Sequence, residues 1–143
     1  MDANMKELID GLNEDLAHEL TAIHQYIYNA SVVSGLARLT LKDFFMREAQ
    51  DEITHAQYLA EKIASLGGEP VVDARPVTAT RDVRGMLQTT LDAEVDTISR
   101  YTKRIQQAEQ ANEIELKIQL EDFIADETKH RDEIIRLLED PRL

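Results

Sequence analysis

A chain of 143 residues has room for one domain with a substantial core, and residues 1–143 are read as a single domain. Its 28 acidic and 16 basic residues leave a net charge of −12, which disfavours nucleic acid as a partner and gathers cations around the protein. With no cysteine, disulfides, thiol catalysis and cysteine-ligated metal sites are excluded; with no apolar leader and no run long enough to span a bilayer, a soluble, cytoplasmic protein that does not bind membranes is expected.

The first helix is expected to start near Asn4, where Asn4 and Glu7 have the spacing of a capping box. Leu8, Leu12, Leu16, Glu19, Ile23, Tyr26, Ala30 and Val33 then recur every three or four residues. Glu19 lies inside this apolar stripe, and a carboxylate buried there needs a metal, a cation or a proton. Gly35 and the residues after it form a turn, and Thr40 with Asp43 resembles a cap for the second helix. The second stripe carries Leu41, Phe45, Glu52, Leu59 and Ile63, with Glu48 or Ala49 and His55 or Ala56 also on that face. Gly67-Gly68 followed by Pro70 ends this helix.

Residues 67–81 contain Pro70, Pro76 and several β-branched residues, and form the least helical part of the chain. Fifteen extended residues reach roughly 50 Å, against roughly 40 Å for the preceding helix, so this segment can run the length of a bundle. A third helix begins near Thr80–Asp82 and carries Val83, Leu87, Leu91, Glu94, Ile98, Tyr101, Ile105 and Ala108. Asn112, with Glu115 three residues on, is expected to cap the fourth, whose stripe is Leu116, Leu120, Phe123, Glu127, His130, Ile134 and Leu137. The expected fold is all-α: an antiparallel four-helix bundle with one long crossover between helices 2 and 3.

One offset relates the two halves. Adding 75 to Glu19, Tyr26, Glu52 and His55 gives Glu94, Tyr101, Glu127 and His130. Within each Glu-x-x-His the two side chains share a helical face and can grip one ion. In a hairpin, Glu19 stands level with Glu52/His55 if the turn falls near residue 36, and Glu94 with Glu127/His130 if it falls near 111. Both positions are turns, so all six side chains are expected at mid-height. Carboxylate and imidazole ligands suit iron, manganese or zinc, and four carboxylates balance two divalent cations. The set Glu19, Glu52, His55, Glu94, Glu127 and His130 therefore predicts a two-metal site.

Other polar residues leave alternatives open. Asp51 and Asp126 are either hydrogen-bond partners of metal-bound imidazoles or solvated aspartates. Tyr26 and Tyr101 read as core tyrosines, with a redox or hydrogen-bonding role beside the metals as the lesser alternative. Glu48 reads as an exposed carboxylate, with receipt of metal in transit as its alternative. His18 and His24 lie off the apolar stripe and fit surface or subunit-contact positions.

Glu19, Glu52-x-x-His55, Glu94 and Glu127-x-x-His130, with the paired Asp-Glu context and Tyr26, resemble the bacterioferritin branch of the ferritin-like superfamily over nearly the whole chain. The resemblance implies a di-iron ferroxidase centre in which Glu52 and Glu127 bridge two iron ions per chain. Glu19 and His55 would complete one ion's ligands, Glu94 and His130 the other's. It implies oxidation of iron(II) by dioxygen or hydrogen peroxide, for iron storage or detoxification, in a homo-oligomer. Haem-binding members carry a methionine after the first bridging glutamate; Ile53 stands there, and no haem is expected. Only thirteen residues follow His130, so the family's short fifth helix is not expected, leaving a dimer or a larger cage open. Rubrerythrins add a cysteine-ligated iron module and a glutamate where this chain has Thr97. The competing functions are a stand-alone di-iron or manganese peroxidase or oxygenase reduced by a separate partner, and a non-catalytic metal-binding structural protein.

Overall fold

The apolar stripes fold into four helices, α1 (Ala3–Val32), α2 (Arg38–Ser65), α3 (Val83–Gln110) and α4 (Ile114–Leu137). The computed structural model describes residues 2–143, and among these there is no strand. No described helix is long and apolar enough to cross a membrane. α1 packs on α2 and α3 on α4 as two hairpins, α1 also packs against α3, and α2 and α4 touch least. This is the expected all-α four-helix bundle with one long crossover between α2 and α3.

Two of the turns are as anticipated and three helix starts are not. Gly67 adopts φ 92° and Gly68 N–H reaches back to the Ile63 carbonyl at 2.9 Å, closing α2 in the left-handed manner that glycine permits. Asp82 caps α3 by accepting from the Gly85 amide at 2.8 Å. The cap of α1, however, is Asp2, which accepts from the Met5 amide at 2.7 Å and leaves Asn4 inside the first turn. Aspartate caps as well as asparagine, and the earlier start extends the helix. α2 begins at Arg38 without a side-chain cap, because carbonyls of the turn take its first amides: Gly35 accepts from Arg38 and Leu36 from Leu39, each at 3.1 Å. Asn112 does not cap α4. It sits at φ 58° and helps to end α3, with Glu113 N–H bonded to the Ala108 carbonyl at 2.9 Å.

The crossover is tied to α1 by side chains on one face of that helix. Asn13 donates to the Glu69 carbonyl (3.0 Å) and accepts from the Val71 amide (2.9 Å). Thr21 accepts from the Arg75 amide (2.9 Å), and Gln25 pairs with both backbone groups of Thr78 (2.7 and 3.0 Å). Residue numbers rise together along strap and helix, so the strap runs parallel to α1 and delivers α3 back to the far end. α3 is therefore antiparallel to α1, and Asp15, Glu19 and Tyr26 meet Arg104, Tyr101 and Glu94 in that order.

The core has two apolar clusters. Leu8, Leu12, Leu59, Ile63, Leu116 and Leu120 fill one end; Phe44, Phe45, Met86, Leu87 and Ile134 fill the other. Between them lies a layer of buried charged groups, where the site forms.

Candidate metal centre

Each hairpin brings one lone glutamate and one Glu-x-x-His to that layer, because the residues sit on the buried stripe of their helix. Glu19, Glu52, His55, Glu94, Glu127 and His130 are all buried. One set, Glu19, Glu52, His55 and Glu127, offers ligand atoms within 4.8 Å of one another; Glu52, Glu94, Glu127 and His130 form a second. Glu52 and Glu127 belong to both, so the arrangement can hold two ions with these carboxylates between them.

The inward atoms face one another. Glu19 Oε2, Glu52 Oε1, Glu94 Oε2, Glu127 Oε1 and both histidine Nδ1 atoms are buried with no well-formed hydrogen bond, their close neighbours being the carboxylates and imidazoles of the cluster and Glu48. His55 Nδ1 lies 3.0 Å from Glu127 Oε1 and 3.9 Å from Glu19 Oε2. His130 Nδ1 lies 3.5 Å from Glu52 and 3.8 Å from Glu94. Such a concentration of unsatisfied buried atoms is costly unless protons or cations fill it, and oxygen and imidazole donors at this spacing fit divalent iron, manganese or zinc.

Outward atoms are held, and they are held crosswise. His130 Nε2 is 2.9 Å from Asp51, and His55 Nε2 is 3.1 Å from Asp126, so each aspartate orients the other half's imidazole. Tyr26 Oη donates to Glu94 at 2.5 Å and Tyr101 Oη to Glu19 at 2.6 Å. These are the hydrogen-bonding tyrosines that the sequence offered only as a lesser alternative to core packing. They are core residues as well, each 2% exposed or less.

Burial raises the carboxyls of Glu19 and Glu52; Glu19 and Glu127 carry Glu52 further, well above the ordinary range, while hydrogen bonds from Glu52 and Tyr101 partly offset the rise of Glu19. Burial pulls His55 and His130 down, but carboxylates outweigh it and carry each up to about 9: Glu127, Glu19 and Asp126 for His55, Glu48, Glu127 and Asp51 for His130. Metal-free, the cluster neutralises itself with protons.

Glu48 is not the exposed carboxylate expected. It is buried, its Oε2 lies 2.7 Å from His130 Nδ1, and burial raises its carboxyl. With Asp51 and His130 it forms a third group within ligand reach of one another. The 75-residue offset puts Phe123 in the equivalent place, and Phe123 stacks on His55 with ring centroids 4.1 Å apart. The surroundings of the two histidines are thus unequal. Sequence reasoning also missed Asp15. It is fully buried and bound by Arg104 at 2.8 and 3.2 Å, with Arg100 alongside at 3.5 Å. Asp15 stands one turn before Glu19 and Arg104 one turn after Tyr101, so stripe position carried that signal. His18 is half-buried against Arg75 and His24 is exposed; neither joins the cluster.

A family model described as "Ferritin-like domain" matches residues 9–143. The chain belongs to the ferritin-like family. A bacterioferritin of Streptomyces coelicolor is 32% identical over 127 residues, covering 88% of this chain and 76% of the relative. A bacterial ferritin of Neisseria meningitidis serogroup B is 27% identical over 136 residues, 92% and 88% of the two chains. A solved structure from Bacillus anthracis, described as a ferritin-like, diiron-carboxylate protein, shares 52% identity with a TM-score of 0.94, covering 96% of this chain and 99% of that one. This ferritin-like chain is thus similar to bacterioferritins in sequence and to a diiron-carboxylate protein in fold.

Proposed function

We propose that residues 1–143 form a single-domain di-iron ferroxidase that oxidises iron(II) with dioxygen or hydrogen peroxide, for iron storage or detoxification. The observation that carries it is the pair of four-residue sets sharing Glu52 and Glu127, buried in a chain similar to bacterioferritins. Two iron(II) ions held there would supply the two electrons that turn dioxygen and two protons into hydrogen peroxide. Glu19 with His55 would hold one ion, Glu94 with His130 the other, and Glu52 and Glu127 would lie between. Asp51 and Asp126 fix the imidazole rings, while Tyr26 and Tyr101 fix Glu94 and Glu19. The apolar clusters close the centre off at the two ends of the bundle. Manganese or zinc would fit the same ligands. Ile53 offers no lone pair, so haem ligation at that position has no ligand. The reading extends to a cytoplasmic homo-oligomer, a dimer or a larger cage, which native mass would distinguish.

The test is aerobic oxidation under stopped flow. About two iron(II) per chain should oxidise in a fast phase, lost in Glu52→Ala and in His130→Ala. Continued uptake afterwards supports storage; a stop at two, with turnover restored by a reductant and peroxide, supports a peroxidase. Equal rates in wild type and Glu52→Ala would overturn the ferroxidase reading and leave a structural metal site.

A further inference from the structure

A cleft on the α1/α3 face reaches the same carboxylates from the side away from the histidines. Its volume is about 170 Å³, and it runs from the strap residues Pro76 and Thr78 down to Tyr26, Glu52 and Glu94. Pro76, Thr78 and, across the mouth, Ala93 are exposed, whereas Glu52 and Glu94 at the floor are buried. A cavity of about 150 Å³ lined by apolar side chains can hold benzene, so this volume suits a single six-membered ring.

The walls define the chemistry. Thr21, Ala22, Thr90 and Ala93 lie among its lining side chains, together with the polar groups of His18 and Gln25. The Thr21 hydroxyl donates to the Ala17 carbonyl and accepts from Arg75, and the Thr90 hydroxyl donates within its own helix. Their polar atoms are engaged, which leaves methyl groups for a guest. Thr97, further along α3, accepts from Arg100 and keeps its hydroxyl proton to offer. Charge does not favour an ion. Arg100 in the lining is already paired with Asp96 and with Asp15 (3.5 Å), and His18 is bonded to Arg75, so no free cation is left to hold an anion.

We propose that this cleft is a binding site for a small neutral molecule: a ring-sized apolar body with one hydroxyl, seated beside Glu94 and Glu52. The strap closes over it because Gln25 and Thr21 hold residues 75–78 against α1. A guest there would lie next to the ion positions without displacing the imidazoles, which approach from α2 and α4. The site therefore gives this centre a way to meet an organic molecule as well as a metal.

Phenol is the probe, with benzoate as its anionic counterpart of equal ring size. Binding is followed by methyl and amide NMR on the full-length chain, both metal-free and loaded with zinc(II), which is diamagnetic and redox-inert. Phenol should shift Thr21, Ala22, Thr90 and Thr97 saturably, with a Kd on the order of 1 mM or tighter, and benzoate should bind at least tenfold more weakly. Ala22→Leu fills the cleft from one wall and Ala93→Leu from the exposed side of the other. Each should weaken phenol binding at least tenfold while zinc uptake stays at the wild-type level. Non-saturable or scattered shifts, equal binding of benzoate, or unchanged phenol affinity in Ala93→Leu would each overturn the proposal. Neither arm uses iron oxidation, so this site and the ferroxidase reading stand or fall separately.

Discussion

At the residue scale the centre is a balance of protons against cations. His55 and His130 hold their protons up to about pH 9 in the folded chain, against an ordinary value of 6.5. Below 6.5 both folded and unfolded chains are protonated, and the full stabilisation is present; it is lost as pH rises through the folded value. Glu19, Glu48 and Glu52, raised by burial, act in the same sense, favouring the folded state at low pH and weakening it as they ionise. The metal-free protein should therefore lose about 5 °C or more in Tm between pH 6.5 and 9, measured by calorimetry in chelator. Metal must displace those protons. Zinc(II) uptake at pH 7 should release about two to three protons per chain, from the histidines and Glu52, read by a pH indicator in weak buffer. Flat stability across that range would mean that the imidazoles are not held by the carboxylates.

At the element scale, α1 and α3 are joined by a buried ion pair that depends on a missing side chain. A Cβ at Gly11 would overlap the Arg104 guanidinium, which is fixed by Asp15 at 2.8 Å and by Gln107 at 2.7 Å. Alanine favours helix over glycine by about 1 kcal/mol, but pushing Arg104 off Asp15 breaks a buried hydrogen-bonded ion pair and leaves only the more distant Arg100 at 3.5 Å, at about 3–5 kcal/mol. The second effect wins. Gly11→Ala should destabilise the protein by about 2–4 kcal/mol in urea unfolding, against the helix-propensity trend. A neutral or stabilising result would show that Arg104 has another place to go.

At the scale of the whole molecule, metal and fold are one equilibrium. The six proposed ligands come from all four helices, so an ion bound at the centre would tie both hairpins together and would have no equivalent site in the unfolded chain. Zinc or manganese at a hundred times its Kd should contribute about 2.7 kcal/mol and raise Tm accordingly. Glu127→Ala, which removes a residue common to both sets, should abolish most of that rise. An equal metal response in the variant would place the binding on the acidic surface instead. Anomalous diffraction from metal-loaded crystals should show two peaks about 3.5–4 Å apart.

The bundle was legible in the sequence because burial repeats every three or four residues, and the same periodicity marked Glu19, Glu52, Glu94 and Glu127 as carboxylates on apolar faces. The common offset of 75 then paired the halves, and hairpin geometry set their height. Helix starts were less legible, since several residues near each end can cap, and the turn carbonyls at Gly35 and Leu36 satisfied amides that no local pattern assigns. What only the tertiary structure decided is what crosses between hairpins: Tyr26 to Glu94, Tyr101 to Glu19, Asp51 to His130 and Asp126 to His55. Periodicity reports which side of a helix is buried, not what lies opposite it. The partner of each buried group depends on how the long crossover returns the chain, and a strap held by Asn13, Thr21 and Gln25 makes α3 antiparallel to α1 and so selects those partners.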